Sequence, residues 1–129
     1  MQVSDAFREF WTERHLSTLT TIRRDGTPHV APVGVTLDVA AGIARVISSG
    51  TSFKARRVRA AGADGVRVAV CQVDGRRWST LEGLAVLRDD PASVADAVAR
   101  YAARYKQPRV NPERVVLEIT VTRILGNVR

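Results

Sequence analysis

A run of small hydroxyl residues stands directly before a lysine in the stretch Ser48-Ser49-Gly50-Thr51-Ser52-Phe53-Lys54. If a helix begins at the end of this run, its free amides and partial positive charge favour an anion, and they disfavour the Lys54 ammonium unless an anion is bound. Arg56, Arg57 and Arg59 follow with no acidic residue among them. The spacing therefore predicts a phosphate or carboxylate pocket. An ordinary capped helix whose cations lie in solvent is the alternative interpretation.

Three further residues carry side chains that could contact a ligand. Arg77 and Trp78 follow a predicted turn at Asp74-Gly75, and a guanidinium beside an indole can bind a planar anion by charge and stacking. The structural alternative is an arginine packed on a surface tryptophan. His29 could bind a substrate carboxylate or supply a proton, and a histidine with satisfied hydrogen bonds is the alternative.

Groups for acid–base or metal chemistry are scarce. The chain contains no Gly-x-Ser-x-Gly elbow, phosphate-binding loop, dinucleotide fingerprint or His-Glu-x-x-His motif. With two histidines and one cysteine we expect no metal site, and Cys71, in a valine-rich strand, is expected to be a buried structural thiol. Glu82 is expected to pair with an arginine such as Arg45. A bound cofactor is therefore expected to perform the chemistry while the protein positions it.

The composition is that of one globular domain spanning residues 1–129. Hydrophobic residues make up 45% and charged residues 26% of the chain, a balance that argues against a disordered protein. No apolar run is long enough to cross a membrane, and the N-terminus lacks the pattern of a signal peptide. We therefore expect a cytoplasmic protein with no membrane partner.

The charge favours an anionic partner, since the formal net charge is +7. Nucleic acid is one candidate, but the chain shows no zinc-finger, RNA-recognition or helix-turn-helix pattern, and only 5% of it is aromatic. A small polyanion held in a groove is therefore favoured over nucleic acid.

Hydrophobic periodicity predicts a mainly β fold with two to three helices. A first helix from Ser4 to about Arg14 places Phe7, Phe10 and Trp11 on one packing face. The basic helix after Ser52 ends near Gly62, and a third helix is capped by Asp90. Its apolar stripe consists of Val94, Val98, Tyr101 and Tyr105.

About six antiparallel strands are predicted, mostly in sequential hairpins. They run over residues 16–23, 29–37, 43–47, 66–73, 77–87 and from 115 to near 126. Pro32 and Gly34 should interrupt the second strand or place it at a sheet edge, where a flat ring could approach its backbone, and a plain edge bulge is the alternative. A sheet of this size avoids exposed edges by curling into a barrel.

A series of short motifs identifies a family resemblance. They are Arg14-His15-Leu16, Leu19-Thr20-Thr21, Asp25-Gly26-Thr27-Pro28-His29-Val30, Ala44-Arg45-Val46-Ile47, Gln72-Val73-Asp74-Gly75, Arg77-Trp78, Leu81-Glu82-Gly83, Arg100-Tyr101-Ala102, Arg104-Tyr105 and Pro112 to Val116. In this order and spacing they resemble the flavin/deazaflavin oxidoreductases with the pyridoxamine 5'-phosphate oxidase-like (FMN-binding) split β-barrel. The similarity is greatest to the B-type branch that uses coenzyme F420, and within it to the F420-dependent biliverdin reductases.

The resemblance implies a homodimer whose two active sites lie between the subunits. It assigns the cofactor phosphate to Lys54, the deazaflavin ring to the backbone of residues 29–33, and the partner-subunit edge to Arg77 and Trp78. In other branches a second basic residue stands where this chain has Ser52, so amides and hydroxyls would carry more of the phosphate binding. The expected cofactor-binding residues are His29, Val30, Ala31, Pro32, Val33, Ser48, Ser49, Gly50, Thr51, Ser52, Lys54, Arg77 and Trp78.

The resemblance also implies a reaction. A hydride would pass from C5 of the reduced deazaflavin to the central bridging carbon of a tetrapyrrole such as biliverdin, and solvent would protonate a pyrrole nitrogen. Arginines including Arg77 would pair with the propionates, and the cofactor's phosphate and oligoglutamate tail would account for the excess of arginine. An FMN-dependent enzyme of the same superfamily, a non-catalytic flavin- or haem-binding protein and a nucleic-acid binder are the alternatives. No residue stands out as a catalytic acid or base.

Overall fold

The three α-helices all begin at a side-chain cap. The computed structural model describes the whole chain, residues 1–129. Ser4, Ser52 and Asp90 are the caps, and each accepts a hydrogen bond from the amide three residues further on, at 3.0 to 3.2 Å. The helices are α1 (Asp5–Thr12), α2 (Phe53–Ala61) and α3 (Pro91–Arg104), and a short 3-10 helix, Gly62–Asp64, follows α2. The caps Ser4 and Asp90 and a helix starting after Ser52 were predicted, although α1 ends two residues before Arg14.

Seven strands form one antiparallel sheet. They are β1 (Ser17–Ile22), β2 (Pro28–Val33), β3 (Val35–Asp38), β4 (Ile43–Ser49), β5 (Val66–Asp74), β6 (Arg77–Arg88) and β7 (Arg114–Gly126). Their order across the sheet is β2-β1-β5-β6-β7-β4-β3. The two edge strands are consecutive in sequence, so the sheet has to curl until its edges approach each other. This half-barrel with three helices confirms the predicted split-barrel class.

Gly34 divides the predicted second strand into β2 and β3, which explains why there are seven strands rather than six. The two halves pair with β1 and β4 at opposite edges of the sheet. A Cβ at position 34 would lie 2.7 Å from Cε2 of Tyr101 and 3.1 Å from Cε2 of Tyr105, so only glycine lets these rings approach. The expectation that Pro32 and Gly34 mark an interrupted edge strand is confirmed.

The core lies between α1 and the concave face of the sheet. Phe7, Phe10 and Trp11 are 0, 0 and 3% exposed, because their three-and-four spacing puts them on one face of α1. They pack in one cluster with Leu19, Val70, Leu81, Leu117 and other inward-facing strand residues. The predicted packing face of the first helix is therefore part of the core.

Arg104 joins α3 to this core by hydrogen bonds to four acceptors. Its guanidinium donates to the side chain of Gln72 at 2.6 Å and to the carbonyl oxygens of Val35 (2.5 Å), Glu13 (2.9 Å) and Phe10 (3.4 Å). Burial lowers the pKa of Arg104. Because the acceptors belong to separate segments, this one side chain holds α3 against β3, β5 and the end of α1.

Two expectations about burial were wrong in part. Cys71 is half-buried instead of fully buried, since it lies on the outer face of β5 while its neighbours Val70 and Gln72 are 0% exposed on the core face. On α3, Ala97 is the most buried residue at 1%, whereas the predicted stripe is only half-buried. None of the helices is long and apolar enough to cross a membrane.

Candidate functional site

The hydroxyl-rich bend joins β4 to α2, as the sequence predicted. Ser48 lies 2.8 Å from Ser52 and Ser49 lies 3.0 Å from Thr51, measured between hydroxyl oxygens, so these side chains bond mainly to each other. The Gly50 amide donates to the carbonyl oxygen of Glu113 at 2.8 Å, and this contact leaves little room for a Cβ at position 50. The bend is therefore already ordered by internal hydrogen bonds.

Lys54 is half-buried beside this bend and no acidic residue accompanies it. Burial lowers the pKa of the Lys54 ammonium, and no carboxylate offsets the effect. The backbone amides of Thr51 and Lys54 donate to no acceptor of the chain. A half-buried lysine in the first turn of a helix whose leading amides are free is an arrangement suited to binding a phosphate or carboxylate. The hydroxyls of Ser48 and Ser52 bond within the bend, whereas the exposed Ser49–Thr51 pair uses one O–H and leaves the other free. An anion here would therefore be held by Lys54, the amides and that free hydroxyl.

The edge strand β2 meets the start of α2 through two rings. The imidazole of His29 packs on the phenyl ring of Phe53, with centroids 4.5 Å apart and planes at 37°. The sequence interpretation did not include Phe53 in the site. The only signal for it was its place at the first helical position, next to the predicted anion pocket. The contact brings residues 29–33 and residues 48–54 together, so the structure joins two of the three predicted parts of the site.

The buried side of the β1–β2 pair holds two unpaired polar groups. Nδ1 of His29 and Oγ1 of Thr21 are both buried without a hydrogen-bond partner, and these residues face each other across the β1–β2 pair. The alternative interpretation, a His29 with satisfied hydrogen bonds, is therefore not met at Nδ1. On the opposite face of β2, Val30 is 58% exposed and Pro32 is also exposed. Ala31 is half-buried and Val33 is buried in the core.

Arg77 and Trp78 form the third predicted part of the site, but the Arg77 guanidinium does not pack on the Trp78 ring. Arg77 binds Glu13 at 3.1 Å and Asp74 at 2.5 Å, and its guanidinium lies 4.7 Å from the ring centroid of Phe10. The hydrogen bonds with Glu13 and Asp74 raise the pKa of Arg77. Successive strand residues point to opposite faces, which explains why Trp78 is turned away and 41% exposed.

Glu82 pairs with an arginine, as expected, but the partner is Arg123 and not the example Arg45. Arg45 lies opposite Glu118 because β4 pairs with β7, and these side chains are 3.9 Å apart. Glu82 lies opposite Arg123 on β7, at 3.8 Å. Glu118 and Glu82 are therefore each paired with an arginine of a neighbouring strand, which gives both acids a structural role.

Comparison with known proteins identifies the family. The sequence profile described as pyridoxamine 5'-phosphate oxidase matches residues 3–127. The chain is 47% identical over 126 residues to the F420H(2)-dependent biliverdin reductase of Mycobacterium tuberculosis (strain CDC 1551 / Oshkosh). The aligned region covers 98% of this chain and 89% of that protein.

Solved structures agree on the fold. An F420 reductase gives a TM-score of 0.75 at 23% identity and covers 95% of this chain and 98% of that chain. A conserved hypothetical protein from Mycobacterium tuberculosis gives a TM-score of 0.78 at 23% identity, and the match covers 98% of this chain and 85% of that chain. At this identity the likeness supports the fold alone. The profile match along nearly the whole chain, with the curled seven-stranded sheet, makes this protein a member of the pyridoxamine 5'-phosphate oxidase family.

Proposed function

We propose that this protein is a coenzyme F420-dependent reductase and that its substrate is biliverdin or a similar conjugated tetrapyrrole. The observation that carries the proposal is Lys54, a half-buried ammonium with no acidic partner at the start of α2. Support for the cofactor and substrate comes from the relative at 47% identity, whose name specifies both.

The residues present fit a phosphate-bearing, flat cofactor. The free amides of Thr51 and Lys54 and the Lys54 ammonium would hold the phosphate. The exposed side of β2 at Val30 and Pro32 would receive the ring, since Pro32 lacks an N–H and β2 has a strand on one side only. His29 and Phe53 would keep these two regions at a constant separation.

The chain's own residues would bind and orient, while the redox chemistry comes from the cofactor. When bound, a reduced deazaflavin would supply a hydride to the central bridging carbon of the tetrapyrrole, and one proton taken up by a pyrrole nitrogen would balance the two-electron reduction of the conjugated system. No carboxylic acid or thiol lies in the bend or on the exposed side of β2. We therefore assign the proton to solvent and limit the protein to positioning and electrostatics.

We propose that the active form is a homodimer with the sites at the subunit interface. The outer face of β1, β2, β5 and β6 exposes a group of large apolar side chains, which suits a protein contact. They are Ile22, Val30, Val73 and Trp78, between 41 and 64% exposed. In a dimer, Trp78 of one subunit would approach the site of the other. Sedimentation of the protein should give the mass of two chains, and a monomer that binds cofactor with full affinity would contradict this.

The function is tested by titrating the purified protein with F420 and with FMN in separate calorimetric experiments. We expect F420 to bind more tightly, and the F420-loaded, reduced protein to turn over biliverdin faster than quinones or nitroaromatics. Binding of FMN with no binding of F420 would reject the proposed cofactor. Binding of F420 without turnover of any tetrapyrrole would reject the proposed substrate.

A further inference from the structure

Gly34 joins the two edge strands of the sheet beneath two tyrosine rings. It is the single residue between β2 and β3, and the rings of Tyr101 and Tyr105 cover it with their centroids 4.8 Å apart. Its φ is not positive, so the glycine is required for space and not for an unusual backbone conformation. We call the segment Val33-Gly34-Val35 the crossover.

The end of α3 holds the crossover by hydrogen bonds. The Tyr105 hydroxyl accepts from the amide of Val35 at 3.1 Å and donates to the carbonyl oxygen of His15 at 2.6 Å. Arg104 donates to the carbonyl oxygen of Val35 at 2.5 Å. Because β3 has a neighbouring strand on one side only, these two side chains satisfy backbone groups that a further strand would otherwise pair. His15 leads into β1, so one phenol ties the start of β3 to the entry of the strand that pairs with β2.

The crossover is also where β2, the proposed platform for the cofactor ring, ends. Pro32, on the exposed side of β2, lies two residues before Gly34. β2 pairs with β1 alone, so only one side of the strand is held by a ladder of backbone hydrogen bonds. The contact of His29 with Phe53 fixes its first half, and the crossover fixes its end. The position of the platform therefore depends on residues that do not line it.

We propose that Tyr105 and Gly34 are positioning residues for the cofactor ring. Neither lies on the exposed side of β2. Tyr105 holds the crossover by its hydroxyl, and Gly34 lets the tyrosine rings close over it, so together they set where Val30 and Pro32 stand. Productive geometry at such a site is lost by displacements of about 1 Å. The identity of the ring as F420 rests on the proposed function.

Hydrogen exchange of the cofactor-free protein tests whether the crossover fixes β2. The strand has four amides, since its two prolines carry none. Tyr105→Phe deletes the hydroxyl, Gly34→Ala places a Cβ against a tyrosine ring, and Asp90→Ala, the control, removes the cap at the other end of α3. We expect the β2 amides to exchange about fivefold or more faster in both crossover variants than in the control, because the strand end is released. Equal rates would overturn the proposal.

Calorimetric titration with F420 tests the positioning role itself, under conditions in which every variant is fully folded. Tyr105→Phe and Gly34→Ala should bind F420 about fivefold or more weakly than Asp90→Ala, which should match the wild type. Adding Tyr101→Leu to Gly34→Ala removes the ring carbon that the new Cβ meets, so the double variant should regain affinity. A loss shared by Asp90→Ala, or no gain in the double variant, would indicate a general effect of stability and overturn the proposal.

The two tests separate this inference from the proposed function. Tyr105→Phe adds no atom, so it decides the outcome even if Gly34→Ala does not fold. Absence of F420 binding in the wild type would reject the proposed function and the ring named here, while the exchange rates would still decide whether the crossover fixes β2. Equal binding of F420 by all variants would leave the function standing and reject the positioning role.

Discussion

The imidazole of His29 on edge strand β2 packs against the phenyl ring of Phe53, the first residue of α2, with ring centroids 4.5 Å apart. This contact links the exposed backbone of β2 to the helix start that carries Lys54. Arg23, from the turn between β1 and β2, lies 5.6 Å from the centroid of the same ring. Phe53 therefore sets the distance between the two regions to which we assign cofactor binding.

Replacing Phe53 by Ala should weaken cofactor binding and lower the free energy of unfolding. Aromatic pairs contribute about 0.5 to 1.5 kcal/mol beyond their buried area, and the loss of the ring also frees α2 from β2. Urea unfolding and calorimetric F420 titration measure the two effects. Phe53→Tyr is the control, since it keeps the ring, and an Ala variant that matched it in affinity would show that the stack has no role in binding.

Replacing Lys54 by Met should weaken F420 binding by about 1 to 3 kcal/mol, because a charge-assisted contact to the phosphate is lost. The fold should be no less stable, since burial already disfavours the ammonium. The chain has one other lysine, the exposed Lys106, so Lys106→Met is a matched control. Equal F420 affinity of the two variants would remove Lys54 from the site.

Replacing Arg104 by Leu should cost about 2 to 4 kcal/mol of stability, as several buried acceptors lose their donor. The control is Arg100→Leu in the same helix. Arg100 is 39% exposed and pairs with Asp96 and Asp38 at the surface, where an ion pair contributes about 1 kcal/mol or less. Denaturant unfolding of the two variants measures the difference, and similar values would contradict the role given to Arg104.

Stability should fall at alkaline pH because of Tyr105. Burial raises the pKa of this phenol in the folded state, where its hydroxyl donates to the carbonyl oxygen of His15 at 2.6 Å. The unfolded chain releases that proton near its ordinary pKa of about 10 and the folded chain does not, so the free energy of unfolding declines as the pH rises beyond that value.

Urea unfolding measured at intervals from about pH 8 to pH 11 tests this pH dependence. Tyr105→Phe should be less stable at neutral pH, since its hydrogen bonds to His15 and Val35 are lost, and its alkaline decline should be shallower. Tyr101→Phe serves as the comparison because Tyr101 makes no hydrogen bond through its hydroxyl. A decline of the same slope in both variants would exclude Tyr105 as the titrating group.

Much of the fold could be predicted because its signals are local. A cap such as Ser52 or Asp90 acts on an amide three residues away, and a turn such as Asp25-Gly26 joins strands that are neighbours in the chain. The division at Gly34 was also predictable in kind, since a proline and a glycine weaken a strand wherever it lies. That β2 and β3 occupy the two opposite edges could not be predicted, because it depends on the strand order of the whole sheet.

The sequence by itself determined the helix starts, the alternation of strand faces and the basic, hydroxyl-rich bend before Lys54, since each depends on residues within about one turn or one strand pair. Only the tertiary structure decided which distant side chains meet. Arg45 faces Glu118 and Glu82 faces Arg123 because β7 lies between β4 and β6. In the same way, the curl of the sheet brings His29 to Phe53 and two arginines of a turn to two of α2. Such contacts follow from strand order and register, which no spacing along the chain encodes.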